Sequence, residues 1–168
     1  PEFKAYLQDL KWAQRFAFLN REEMMDRFAD CLEEFMGQEL VELERINCHH
    51  NYTVKEKHFG REVWLTRKGA VNAAEGRKAL IPGSMGTASY VVEGKGYPGG
   101  LMSAPHGAGR RFSRTEARRR FTVDDLAARM EGIEYRPGEE FIDEIPDAYK
   151  DIDVVMRDAE PLVTVLHR

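Results

Sequence analysis

The sequence predicts an α+β fold, with N-terminal helices, then a loop-rich β core, then short helices. Three observations carry this. Apolar residues recur every three or four positions over residues 3–36, the helical period. Beyond about residue 40, short apolar runs alternate with glycine, as short strands do. After residue 112, Ser113/Glu116 and Thr122/Asp125 stand at the spacing of helix capping boxes. A length of 168 residues points to one domain, 1–168.

The first helix is expected over residues 3–19, with Phe3, Tyr6, Leu7, Leu10, Ala13, Phe16 and Ala17 at helical spacing. Asn20, followed by Glu23, is read as the cap of a second helix that runs to about Met36. That helix carries Met24, Phe28, Leu32 and Phe35 on one face, and Gly37 ends it. Strands are predicted at Val63–Leu65, Ala79–Ile81 and Tyr90–Val92, and residues 82–109 read as a long loop-rich stretch. A helix over 114–120, turns at Pro137-Gly138 and Pro146, a short helix over 151–157 and a last strand at Leu162–Leu166 complete the reading.

Composition removes several classes. Hydrophobic residues are 42% and charged residues 32%, which excludes a disordered polymer and a collagen. No apolar run approaches about 18 residues, so no helix is expected to span a membrane. No signal peptide is recognisable. Cys31 and Cys48 are too few for a disulfide framework and suit a reducing compartment, expected to be the cytoplasm. Cys31 reads as a small core residue. Pro1 lies within a helical pattern and Arg168 follows an apolar run, so the chain is expected to be a piece of a longer polypeptide. Some apolar surface should then be exposed.

The net charge of −4 hides a polarised chain. Acidic residues crowd 22–44, and Arg110, Arg111, Arg114, Arg118, Arg119 and Arg120 crowd 110–120. Arg114 and Arg118 share a helix face, which either tracks a phosphate backbone or pairs with the acidic helix.

Three clusters carry candidate chemistry. Asn47-Cys48-His49-His50-Asn51 offers thiolate and imidazole donors for a transition metal. On a strand, Cys48 and His50 share one face, and further ligands must come from elsewhere. A buried histidine pair satisfied by backbone hydrogen bonds is the alternative. Pro82-Gly83-Ser84-Met85-Gly86-Thr87-Ala88-Ser89 offers glycine-exposed amides and hydroxyls for a phosphate, or a plain turn. It is neither a Walker A loop nor G-x-G-x-x-G. In Ser103-Ala104-Pro105-His106-Gly107-Ala108-Gly109-Arg110-Arg111, His106 between proline and glycine is a loop imidazole able to attack phosphorus when neutral, with Arg110 beside it to neutralise a phosphate, or a plain surface histidine. His58 and His167 read as structural or exposed.

Taken in order, Cys48-His49-His50-Asn51-Tyr52, Pro82 through Val91, and His106-Gly107-Ala108-Gly109-Arg110 resemble the RtcB family of RNA ligases. Tyr6, Leu7, Leu10, Trp12, Ala13 and Gln14, Asn20-Arg21, and Tyr149-Lys150-Asp151-Ile152-Asp153 are similar too, so the likeness covers essentially the whole chain. The resemblance implies an uncommon RtcB-like mixed fold. It implies a ligase of tRNA splicing and RNA repair, joining 3′-phosphate or 2′,3′-cyclic phosphate ends to 5′-hydroxyl ends. It implies GTP and Mn²⁺, two ions in the complete enzyme. By motif position, His106 is the guanylylated nucleophile, Arg110 assists phosphate chemistry and His50 is a Mn²⁺ ligand. Asn51, Pro82, Gly83, Ser84, Met85, Ser89, Gly107, Ala108 and Gly109 contact the nucleotide, and Tyr149 flanks the guanine.

The family's remaining metal ligands, an Asp and Cys pair and two further histidines, fall upstream of this chain. Its C-terminal Lys-Gly ending is absent. The chain is therefore read as the C-terminal part of such a ligase, with the missing N-terminal part as a partner. Alone, it is not expected to guanylylate itself well; labelling by radioactive GTP with Mn²⁺ that His106→Ala abolishes contradicts this. The alternatives are a non-catalytic RNA- or nucleotide-binding remnant and a small structural metal domain at Cys48 and His50.

Overall fold

A computed structural model describes residues 2–168 and has an α+β fold. It divides into two compact units, residues 1–68 and 69–168, each described by itself.

The first unit holds helix α1 (Glu2–Met36) and a hairpin of β1 (Asn51–His58) and β2 (Arg61–Lys68). The expected break at Asn20 does not occur: α1 is one helix of 35 residues. The segment contains no glycine or proline, and a lone asparagine costs a helix only a fraction of a kcal/mol. Asn20 turns its amide along the helix to Met24 Sδ at 3.6 Å, and Glu23 pairs with Arg27 at 2.8 Å, so neither forms a cap. Gly37 ends the helix as expected, at φ +65° with its N–H on the Glu33 carbonyl.

Only Leu7 of α1 is buried, whereas Trp12, Phe16, Met24, Phe28 and Phe35 are exposed, so exposed apolar surface is present as expected. Cys31 is exposed, not core. The hairpin meets α1 through Phe3 against Trp64 (ring centroids 5.8 Å apart) and Gln14 Nε2 on the Thr53 carbonyl at 3.4 Å.

The hairpin encloses a charged cluster. Arg67, 2% exposed, donates to both Glu56 oxygens at 2.7 and 2.9 Å and to the Tyr52 hydroxyl at 2.9 Å. Buried His58 lies 2.8 Å from Glu56. The Arg67 hydrogen bonds hold the Glu56 carboxyl below the usual carboxylate range, and His58 adds to this. A carboxyl depressed in the folded state stabilises it fully above the unfolded pKa and loses that stabilisation as pH falls through the folded value. The hairpin is therefore expected to hold at neutral pH and to weaken only in acid, below the ordinary carboxylate range. Glu56→Gln should cost on the order of 2 kcal/mol at neutral pH and flatten the acid limb, read by circular dichroism across pH. An unchanged acid limb contradicts this.

The second unit is built on a three-stranded antiparallel sheet of β4 (Lys78–Pro82), β5 (Ser89–Gly94) and β7 (Val163–His167), with β5 central. Its buried face is Ala79, Ile81, Tyr90, Val92 and Val163. Beside these strands in sequence, β3 (Ala70–Asn72) pairs antiparallel with β6 (Ser103–Pro105), burying Val71 and Ala104. Strands β1, β3 and β6 escape the sequence reading. The last two are three residues long, too short for periodicity to register.

Short helices α2 (Arg114–Arg120), α3 (Val123–Arg129) and α4 (Ile152–Asp158) follow, much as predicted. Ser113 caps α2 through the Glu116 amide, and Thr122 and Asp125 close a full capping box on α3. Ala117, Leu126, Met130, Ile145 and Ala148 form a second core, against which Met85, Phe112 and Tyr149 pack. The arginine run has nearby carboxylates: Arg118 and Arg114 reach Asp143, and Arg119 and Arg120 bind Glu116 at 2.5 Å.

Candidate nucleotide-accepting site

The site grows from two strand ends. The antiparallel register Ala70↔Pro105 places Gly69 and His106 at one end of the β3–β6 pair. Gly69, at φ +67°, adopts a backbone that other residues rarely take. Its carbonyl receives the His106 backbone N–H at 3.3 Å and the imidazole Nδ1 at 3.0 Å. A carbonyl oxygen can only accept, so Nδ1 carries the hydrogen in this arrangement and Nε2 is the basic nitrogen of the neutral ring.

The second strand end is the β4–β5 turn. Pro82 pairs with Ser89, and the Gly83 N–H donates to the Ala88 carbonyl at 3.1 Å. The Thr87 N–H reaches the Ser84 carbonyl at 3.2 Å, and the Ser84 N–H donates to Thr87 Oγ1 at 2.6 Å. Amides read from the sequence as phosphate donors thus hold the turn's own shape at these three positions. A Cβ on Gly83 would meet Thr87 Oγ1 and the Ala88 carbonyl closer than any real contact. Gly83→Ala is therefore expected to open the turn and cost about 2 kcal/mol, read as a lower Tm; an unchanged Tm contradicts it.

One hydrogen bond joins the two strand ends: the Ala108 N–H donates to the Pro82 carbonyl at 3.0 Å. His106 lines a cavity of about 830 Å³ together with Gly107, Ala108, Gly109, Arg111, Lys150 and the apolar side of α4 at Val154 and Val155. A second cavity of about 360 Å³ is lined by Gly86, Thr87 and Tyr149, and by Arg111, Lys150 and Asp151, which also line the first.

Arg110 is held tightly. Its Nε donates to the Phe112 carbonyl at 3.0 Å, and its terminal nitrogens reach the Tyr149 hydroxyl at 3.0 Å, Glu144 at 3.4 Å and the Asp143 carbonyl. Its guanidinium lies 4.9 Å from the Tyr149 ring centre. The Tyr149 hydroxyl donates to Glu144. Burial first, and that carboxylate second, hold the Tyr149 phenol above its usual range.

His50 and Asn51 belong to the first unit. They follow a stretch without regular structure, not a strand, so the expected alternation of Cys48 and His50 on a strand face does not apply; Asn51 opens β1. Their neighbours are anchored to α1: Asn47 accepts from Arg21 Nε at 2.7 Å, and the His49 ring lies between Phe18 and Tyr52, 5.8 and 5.5 Å from each. The remaining site residues named from the sequence, Pro82, Gly83, Ser84, Met85, Ser89, His106, Gly107, Ala108, Gly109, Arg110 and Tyr149, all belong to the second unit.

A family model described as tRNA-splicing ligase RtcB matches residues 1–168. The chain belongs to the RtcB family. It is 46% identical over 98% of its length to the RNA-splicing ligase RtcB of Escherichia coli K12, and covers 42% of that protein. It is 34% identical over 93% of its length to the tRNA-splicing ligase RtcB of Methanopyrus kandleri, covering 19% of it. With the RNA-splicing ligase RtcB of Mycobacterium tuberculosis it shares 32% identity, covering 40% of that protein. The chain thus spans about two-fifths of the length of the E. coli relative. Gly69, Arg111 and Lys150 also line the His106 cavity, and the sequence reading gave none of them a role there. The last two sit beside residues that it named, in Arg110-Arg111 and Tyr149-Lys150. Gly69 left no signal, because its role is a backbone carbonyl.

Proposed function

We propose that this chain is the nucleotide-accepting segment of an RtcB-type RNA ligase that joins 3′-phosphate or 2′,3′-cyclic phosphate ends to 5′-hydroxyl ends with GTP. One observation carries the reading: the Gly69 carbonyl orients the His106 ring beside a cavity within the size range of ligand pockets. In the proposed first step the Nε2 lone pair attacks the α-phosphorus of GTP. The N–P bond forms, the P–O bond to pyrophosphate breaks, and the hydrogen stays on Nδ1, donated to the Gly69 carbonyl. The GMP then passes to the RNA 3′-phosphate, and the 5′-hydroxyl displaces it. Ser84, Met85, Ser89 and Asn51 are proposed to contact the nucleotide, with Tyr149 beside the guanine.

Manganese is a different case. Among the described residues, no three His, Cys, Asp or Glu side chains gather as a metal site. His50 is proposed as one ligand whose companions come from outside the 168 residues.

The test is a graft. The 168 residues replace the matching segment of the E. coli relative, and the product is incubated with α-labelled GTP and Mn²⁺. Covalent label on the grafted segment supports the reading. A folded graft that binds GTP without label favours the non-catalytic binding module instead.

A further inference from the structure

Arg110 was the cation the motif assigned to phosphate chemistry, yet its guanidinium is engaged by Phe112, Tyr149, Asp143 and Glu144. The strand-like pairing explains where the neighbouring cations go. Arg110 faces Tyr149 in an isolated antiparallel bridge. The Arg111 N–H donates to the Ala148 carbonyl at 2.8 Å and the Lys150 N–H to the Gly109 carbonyl at 2.9 Å. These bonds flank the bridge, which makes 110 and 149 a non-hydrogen-bonded pair with close side chains. Alternation then sends Arg111 and Lys150 to the opposite face.

Arg111 and Lys150 each line both the His106 cavity and the smaller Tyr149 cavity. Both are exposed, and among the described residues neither is in a salt bridge. Of the carboxylates lining the same space, Asp151 is turned to the Asp153 amide at 2.9 Å and Asp147 to Arg129 at 2.7 Å; Asp158 is the third. Two like charges that line the same space, neither of them in a salt bridge among the described residues, are suited to an anion from solution.

We propose that Arg111 and Lys150 form a phosphate clamp between the two cavities, holding a substrate phosphate against His106 Nε2. The clamp rests on the reading of His106 as nucleophile. Arg110 is a positioning residue behind it, fixing the 109–111 and 148–150 segments. The bound phosphate belongs either to the nucleoside triphosphate or to the RNA 3′ end, which share this chemistry.

Binding to the 168-residue chain distinguishes the two. The probes are a fluorescein-labelled oligoribonucleotide ending in a 3′-phosphate, the same oligonucleotide ending in a 3′-hydroxyl, and GTP as competitor. Arg111→Gln and Lys150→Gln are each expected to weaken phosphate-dependent binding about tenfold. Each should also lower the salt slope by about one. Arg111→Lys and Lys150→Arg should restore most of the affinity, which a lost packing contact would not. Arg77→Gln, an equal charge change at an exposed residue that lines neither cavity, should do nothing. Loss of the 3′-phosphate preference assigns the clamp to the RNA end, and loss of GTP competition assigns it to the nucleotide. If the double variant binds like the parent, if Arg77→Gln weakens binding as much, or if the parent binds no probe, the clamp is overturned. The graft labelling scores His106 separately: a double variant that loses the 3′-phosphate preference yet labels at full rate places the clamp at the RNA end and leaves the nucleophile standing, whereas full-rate labelling with an unchanged 3′-phosphate preference sinks the clamp.

Discussion

Replacing His106 by alanine in the graft is expected to abolish the covalent label, a loss of at least about a thousandfold. Removing a nucleophile deletes the bond-forming atom itself, and residual catalysis then rests on binding alone. His106→Gln is the sharper form. Glutamine can still donate to the Gly69 carbonyl and fill the loop, but its amide nitrogen has no basic lone pair for phosphorus. Both variants should keep the fold, because the ring is only half-buried and faces a cavity. Near-normal labelling of His106→Gln, with Tm unchanged, would place the acceptor on another residue.

The second large effect concerns stability. Arg110→Lys keeps the charge but cannot reproduce a planar fork that serves Phe112, Asp143, Glu144 and Tyr149 at once. Two backbone carbonyls, of Phe112 and Asp143, lose their donor, and orphaned acceptors of this kind cost roughly 1–3 kcal/mol each before water returns. A net loss of about 3 kcal/mol and a clear fall in Tm are expected. Tyr149→Phe should cost less, about 1 kcal/mol, because only the hydroxyl goes. The double variant should fall short of the sum, since both residues belong to one network. Additive losses would mean that Arg110 and Tyr149 act independently.

The legibility of this chain followed the reach of each signal. Helices α2, α3 and α4 were readable because caps and periodicity are local, and Thr122 with Asp125 formed the box that their spacing announced. The central strand β5 was readable because Tyr90 to Val92 is a β-branched and aromatic run bounded by glycine. The length of α1 was misjudged because Asn20 has the side chain of a cap, and only its surroundings decide whether it acts as one. Arg110 was read as facing the ligand because arginine beside a glycine-rich loop commonly meets phosphate. The bonds that turn it away come from residues 143–149, more than thirty positions later. The Gly69 carbonyl was invisible for the same reason: a backbone oxygen has no letter in the sequence.

The most direct measurement is the tautomer of His106 in the 168-residue chain, read by ¹⁵N NMR of the ring nitrogens at a pH where the imidazole is neutral. A pyrrole-type Nδ1 and a pyridine-type Nε2 are expected, with the Nδ1 hydrogen protected by the Gly69 carbonyl. A ring protonated mainly at Nε2 would leave no lone pair facing a phosphate there, and would contradict the account.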